Sequence, residues 1–320
     1  MMSGIAIRTD KLGRDFKTVT AVDDLTLEVP AGAVFGFLGP NGAGKTTTIR
    51  LLLGLLEPTR GRAEVLGRDV AARAGEVRAL SGALLEHSGL YERLNAEDNL
   101  EYYGRIWRLP AADRRARIRG LLEHFGLWDR RRELAGAWSR GMKQKLAVAR
   151  ALLHRPRLVF LDEPTAGLDP VAAASLRDDL AGLASREGAT VFLTTHNLDE
   201  AERLCHRVAV IRAGRLVAEG PVEELKRGPS APATDVRGNG FSPALLARIG
   251  ALPGVDRIES ADGRLTVHWT SSADTPALLR ALVEGGAAVD EITARKATFE
   301  GAFLKLVKNE QQEDSACSAI

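Results

Sequence analysis

The chain has 320 residues, 45% hydrophobic and 27% charged, with a formal net charge of +2. That length suits one large domain plus a small one, and the charge is too near neutral to argue for nucleic acid. No uninterrupted apolar run reaches the about 18 residues a bilayer span needs, residues 1–10 lack the apolar core of a secretory signal, and two cysteines, Cys205 and Cys317, fit a reducing cytoplasm rather than a disulfide framework.

In chain order, residues 5–7 and 25–29 read as short strands, the second alternating. Residues 33–38 are apolar and bounded by glycine, as a buried strand should be. The next eight, Gly39-Pro40-Asn41-Gly42-Ala43-Gly44-Lys45-Thr46, satisfy G-x-x-x-x-G-K-[ST]. Residues 47–53 then carry Ile49, Leu52 and Leu53 at helical spacing, with Gly54 as the stop. Strand, glycine-rich loop and helix stand in the order a phosphate cradle requires. The glycines let backbone N–H groups turn inward, and the helix N-terminus adds partial positive charge. Lys45 reaches the β/γ-oxygens, and Thr46 can ligate Mg²⁺.

A helical block follows. Residues 95–109 read as a helix with Asn95 as N-cap, stopped at Pro110. Residues 113–125 place Ile118, Leu121, Leu122 and Phe125 on one face, and Gly126 ends them. A third helix is expected over 139–153. Residues 113–150 hold eleven Lys/Arg against four Asp/Glu. Such a skew fits a solvated helical surface, or proximity to acidic headgroups or an acidic partner loop. The third helix opens with Trp138-Ser139-Arg140-Gly141-Met142. A hydroxyl, a glycine backbone and a helix N-terminus make either a plain capped helix or an anion site that a second copy's nucleotide would complete.

Strands over 158–161, 191–194 and 208–211 are nearly all apolar, as in a sheet covered on both faces. The first ends in Asp162-Glu163, carboxylates that are costly at a buried strand end unless a cation or a reaction uses them. Asp162 suits Mg²⁺, and Glu163 suits general-base activation of water. Thr194-Thr195-His196 ends the next strand. His196 is either structural or a γ-phosphate contact beside the Asp162 strand end. The composition changes over 226–234 to a linker. Beyond it, strand, helix (243–249), strand (255–260), Asp262-Gly263 turn, strand (265–269), helix (275–284), strand (289–293) and a last helix near 299–307 suit a small βαββαβ sandwich. Residues 309–320 read as a polar tail.

Together these pieces resemble the ATP-binding subunit of ABC transporters over roughly residues 5–225. Gly39–Thr46 matches the Walker A motif, Val159–Asp162 the Walker B strand and Glu163 the catalytic glutamate. Asp169 falls in the D-loop of Ala166-Gly167-Leu168-Asp169, and His196 is the switch histidine. Ser139 and Gly141 fall in the signature sequence, and Phe16 stands where an aromatic ring stacks on adenine. The resemblance implies ATP and Mg²⁺ as cofactors. Phe16, Gly39, Asn41, Gly42, Gly44, Lys45, Thr46, Thr47 and Glu86 would contact the nucleotide, while Thr46, Asp162 and Glu86 would hold the metal.

Two departures narrow the match. The signature commonly reads Leu-Ser-Gly-Gly-Gln, and Glu86 replaces the usual glutamine of the Q-loop. Both look like the branch of drug and antibiotic exporters paired with ABC-2-type membrane proteins, as in daunorubicin resistance. The unit after residue 234, ending in Ala297-Thr298-Phe299-Glu300-Gly301-Ala302-Phe303-Leu304, resembles that branch's small C-terminal domain.

The expected fold is thus an α/β P-loop NTPase core (1–225) with an inserted helical subdomain (about 90–153). A linker (226–234), a ferredoxin-like α+β domain (235–308) and a tail (309–320) follow. The expected partners are a polytopic ABC-2-type permease and a second copy or paralogous ATPase subunit, at the cytoplasmic face of the membrane, with no nucleic acid. The competing reading is a soluble ABC ATPase of translation or DNA maintenance. It lacks support from a second ATPase domain or from long coiled-coil or zinc insertions.

Overall fold

The computed structural model describes residues 4–227, 232–261, 263–270, 273–295 and 303. The chain divides into two compact units, Met1–Pro221 and Val222–Ile320. In the first, β1 (Ile5–Phe16) and β2 (Val19–Pro30) form an antiparallel hairpin. Both strands outrun the short stretches that alternation marks. Register shifts between Thr9 and Leu12 and between Leu12 and Arg14 break the period-two pattern without ending the pairing. β3 (Val34–Leu38) leaves the hairpin to start a second sheet, and the glycine-rich loop leads from it into α1 (Lys45–Leu52). β4 (Arg60–Val65) and β5 (Arg68–Asp69) return to the hairpin and give the first sheet the order β2-β1-β4-β5. Asp69 then caps α2 (Val70–Leu80), which precedes β6 (Ser81–Leu84).

The helical block comprises α3 (Ala96–Ile106), α4 (Ala111–His124) and α5 (Arg140–Leu152). Asn95 caps α3, its side-chain oxygen accepting the Asp98 N–H at 2.8 Å. α4 begins two residues before the sequence pattern marks it. Pro110 cannot donate a backbone bond, but its carbonyl accepts from Arg114 at 2.9 Å, so it opens this helix as well as closing the approach to it. Ser139 caps α5.

β7 (Leu158–Asp162), α6 (Pro170–Glu187), β8 (Thr190–Thr195), α7 (Leu198–Leu204), β9 (Arg207–Arg212) and β10 (Arg215–Pro221) complete the unit. The second sheet runs β10-β9-β3-β8-β7-β6, with β10 antiparallel at its edge and the other neighbours parallel. Every residue of β3, β7 and β8 is buried, as a parallel sheet covered on both faces demands. Phe192 sits at its centre, with ring centroids of Phe35, Phe37 and Phe160 at 5.8, 5.3 and 5.6 Å.

The helical block is tied to the sheet edge and to the loop after it. Arg150 donates to the Ala83 carbonyl at 2.9 Å, Tyr103 donates to the Gly89 carbonyl, and the His154 ring lies 3.0 Å from the Ser81 carbonyl.

In the second unit α8 (Val222–Arg227) precedes β11 (Ala233–Asn239), α9 (Pro243–Gly250), β12 (Val255–Ala261), β13 (Arg264–Trp269), α10 (Thr275–Glu284) and β14 (Ala288–Arg295). The sheet order β12-β13-β11-β14 is antiparallel throughout and gives the expected βαββαβ arrangement. Trp269 anchors its core among Val236, Leu245, Ile249, Val267 and Leu278 and satisfies its indole N–H on Thr234 Oγ1 at 3.0 Å. Asp262, the helix expected near 299–307 apart from Phe303, and residues 228–231 of the expected linker lie outside the described residues, while α8 and β11 take up the linker's two ends. Among the described residues no helix is long and apolar enough to cross a membrane.

Candidate nucleotide site

Parallel sheets present loops and helix N-termini at the carboxyl ends of their strands, and the residues of interest gather there. A cleft of about 630 Å³ is lined by Asn41, Gly42, Gly44, Lys45, Thr46 and Thr47, and also by Glu163 and His196. The glycine-rich loop is held in place by contacts that exclude larger residues. Gly44 has φ +106°, and a Cβ there would fall 2.3 Å from the Ala21 carbonyl oxygen. Gly39 and Lys45 are also linked, since the buried Lys45 ammonium (6% exposed) donates to the Gly39 and Pro40 carbonyls at 2.8 and 3.1 Å.

The carboxylates at the end of β7, one strand beyond β8 from the loop, face it across the sheet's carboxyl edge. Asp162 accepts from Thr46 Oγ1 at 2.7 Å and from Thr194 Oγ1 at 2.5 Å. Glu163 adopts φ +49°, a left-handed conformation uncommon for a residue with a side chain. Its N–H is fixed by Thr194, through both the carbonyl and Oγ1 at 3.1 Å. The turn delivers the Glu163 carboxylate between two cations or donors. Oε1 lies 3.1 Å from Lys45 Nζ, and Oε2 lies 2.6 Å from His196 Nδ1. A carboxylate only accepts, so Nδ1 carries the proton of this bond.

Thr46 and Asp162 present a hydroxyl and a carboxylate side by side, hard oxygen donors of the kind Mg²⁺ takes together with substrate phosphates. These residues therefore fit the metal. Glu86 stands differently. It is 69% exposed, and its carboxylate pairs with Arg50 at 3.4 Å, on α1 one turn after Thr46.

Phe16 ends β1 opposite Val19, with 39% of its surface exposed and the Arg14 guanidinium 4.6 Å from its ring centroid. It does not line the cleft beside the loop. Ser139, Gly141 and Asp169 gather at a second place. Ser139 Oγ accepts the Met142 N–H at 3.3 Å. Asp169 caps α6 through the Val171 and Ala172 N–H groups at 3.0 and 2.9 Å. A Cβ on Gly141 would meet the Ala172 Cβ at 3.0 Å, so glycine lets α5 and α6 approach closely.

Two residues that motif spacing does not mark belong with these. Thr194 orients both Asp162 and Glu163, and its signal is a hydroxyl at the carboxyl end of a buried strand, next to Thr195 and His196. Gln144 donates to the Pro164 carbonyl at 2.7 Å. Only the packing of α5 against the loop after Glu163 reveals it.

Burial also sets charge behaviour nearby. Glu200, fully buried at the start of α7, donates nothing as a carboxylate and accepts from Thr195 Oγ1 at 2.6 Å. Burial pushes its carboxyl above the usual range, only partly offset by hydroxyl hydrogen bonds.

Residues 22–166 match the ABC transporter family. A daunorubicin resistance ATP-binding protein of Streptomyces coeruleorubidus is 38% identical, over 98% of this chain and 100% of the relative. The bacitracin transport ATP-binding protein of Bacillus licheniformis is 38% identical over 69% of this chain and 71% of its own length. Among solved structures, the ATP binding subunit of an ABC transporter superposes with a TM-score of 0.63 at 32% identity, covering 69% of this chain and 92% of the other. With a match this long to a relative of equal extent, and with a phosphate loop facing paired carboxylates, the chain belongs to the ABC transporter family as one of its ATP-binding proteins.

Proposed function

We propose that this chain is the ATP-hydrolysing subunit of an ABC-2-type exporter, working on a separate polytopic permease at the cytoplasmic face of the membrane. The observation that carries the reading is the Glu163 carboxylate, held between Lys45 and His196 beside the Thr46–Asp162 pair.

The glycine-rich loop and the N-terminus of α1 cradle the phosphates, and Lys45 turns from its loop carbonyls to the β/γ-oxygens. Asn41 and Thr47 flank that cradle, and Phe16 stacks on adenine. Thr46 and Asp162 hold Mg²⁺, which supplies charge neutralisation on the phosphates. Glu163 takes a proton from the attacking water, whose oxygen bonds to the γ-phosphorus as the bond to the bridging oxygen breaks. ADP and phosphate leave. His196 keeps the base oriented through Oε2. Glu86, paired with Arg50 on α1 rather than lining the cleft, would have to swing from that pair to join the metal's ligands.

Ser139 and Gly141 lie with Asp169 on a surface of their own. They are read as completing the ATP site of a second copy or paralogous subunit, head to tail. Helix closeness at Gly141 and the 79% exposed Val171 at the start of α6 support a contact surface there. Closure of the dimer on ATP and its release after hydrolysis would move the permease. A drug or antibiotic as cargo is supported by the names of the relatives in daunorubicin resistance and bacitracin transport. The same relatives favour transport over a soluble role in translation or DNA maintenance.

The deciding experiment is the ATPase assay of Glu163→Gln. Loss of a positioned general base lowers kcat by about 10²–10⁴-fold while nucleotide binding persists. Turnover within a few-fold of the wild-type chain would refute Glu163 as the base.

A further inference from the structure

The signature helix holds the loop that follows Glu163 at two points one turn apart. Gln144 donates to the Pro164 carbonyl at 2.7 Å. Arg140, four residues earlier and therefore on the same helix face, lays its guanidinium against Gly167. The contact is close: a Cβ built on Gly167 would fall 2.3 to 2.6 Å from Nη1, Cζ and Nη2 of Arg140. Gly167 itself has φ +68°, so a side chain there would also be strained. Arg140 is exposed, and among the described residues no carboxylate pairs with it. Its place over Gly167 is therefore one of shape, a planar group on a bare Cα, rather than an ion pair. Beyond Gly167 the same loop runs to Asp169, which caps α6, and α6 touches α5 again where Ala172 meets Gly141.

We propose that Arg140 is a positioning residue that locks the Glu163–Asp169 loop to the signature helix of its own subunit. The base for one ATP and the signature surface for the partner's ATP then move as one body. A small residue at position 140 would leave Gln144 as the only one of these two ties between that loop and the signature helix. The inference rests on the two-subunit ATP site proposed above.

The test uses the full chain. Arg140→Ala is expected to keep the wild-type melting temperature and, by fluorescent-nucleotide titration, the wild-type monomer affinity for ATP within twofold. Its kcat should fall by about tenfold, since small displacements of a positioned base are costly. Arg140→Lys, charged but not planar, is expected to restore less than half of the lost rate. The Arg140→Ala and Gln144→Ala changes should be non-additive in kcat, as two ties on one loop are.

Wild-type kcat in Arg140→Ala would overturn the proposal. So would full rescue by lysine, strict additivity, or a joint fall in melting temperature and nucleotide affinity. ATP-driven dimerisation of Glu163→Gln, read by light scattering, separates the two ideas. No dimer removes the two-subunit site itself, whereas dimers together with unchanged Arg140→Ala turnover remove only the role of Arg140.

Discussion

Thr194 shows how much of this site depends on residues that carry no motif. Its hydroxyl donates to Asp162 and accepts from the Glu163 N–H, while its carbonyl accepts that same N–H. Thr194→Val keeps the shape and removes the hydroxyl. The Asp162 carboxylate is then less well oriented toward Thr46 and toward the Mg²⁺ proposed there. Outer-shell partners of metal ligands are commonly worth 10–100-fold in metal affinity or activity. The Mg²⁺ concentration for half-maximal ATPase should therefore rise by about tenfold in this variant. A magnesium titration checks this, and an unchanged midpoint would leave Thr194 as a core residue only. Walker-type spacing made Lys45, Thr46, Asp162 and Glu163 legible in the sequence, because their chemistry depends on short local geometry. Thr194 and Gln144 were not legible, because their partners lie 32 and 20 residues away and are met only across the fold.

At the scale of the element, the first turn of α5 holds a helix cap and the surface proposed to meet a partner's ATP. Ser139→Ala removes a cap worth about 1 kcal/mol, for a fall in melting temperature of about 2–4 °C in a unit of this size. If Ser139 also completes the partner's ATP site, the ATPase rate drops far more than that modest loss explains. A rate within twofold of the wild type would make Ser139 a cap and nothing else.

Just beyond α5, His154 sits where a contact should depend on pH. The His154 ring stacks on Trp107 at 3.9 Å and faces the Ser81 carbonyl. Burial lowers its pKa, with Arg117 and Arg150 adding to that and the Ser81 bond opposing it. A histidine whose folded pKa lies below its unfolded value leaves the unfolded chain holding more protons. Stability is therefore lost as pH falls below about 6.5. His154→Gln should flatten the fall in melting temperature between about pH 6.5 and 5 relative to the wild-type chain. Parallel curves for the two proteins would show that other groups govern this range.

Element boundaries followed local chemistry where caps were strong, as at Asn95 and Ser139. They departed from it where tertiary pairing carried strands through irregular register, as in β1 and β2.

On the scale of the whole molecule, the two units have separate hydrophobic cores, one around Phe192 and one around Trp269. Separate cores unfold as separate cooperative steps, so calorimetry should show two transitions. ATP with Mg²⁺ should raise only the one belonging to the first unit, by about 2.7 kcal/mol at a hundredfold excess over Kd. A single transition shifted as a whole by nucleotide would mean that the units unfold together.

The sequence by itself determined the phosphate loop, the carboxylates after the buried strand, the capped helices and the βαββαβ order of the second unit. Each of these follows from contacts or periodicities within about twenty residues. Tertiary structure alone decided which strands lie side by side, and so brought Glu163 against His196 and Lys45. It also folded Arg140 onto Gly167, because parallel neighbours and helix packing join segments that no local pattern relates.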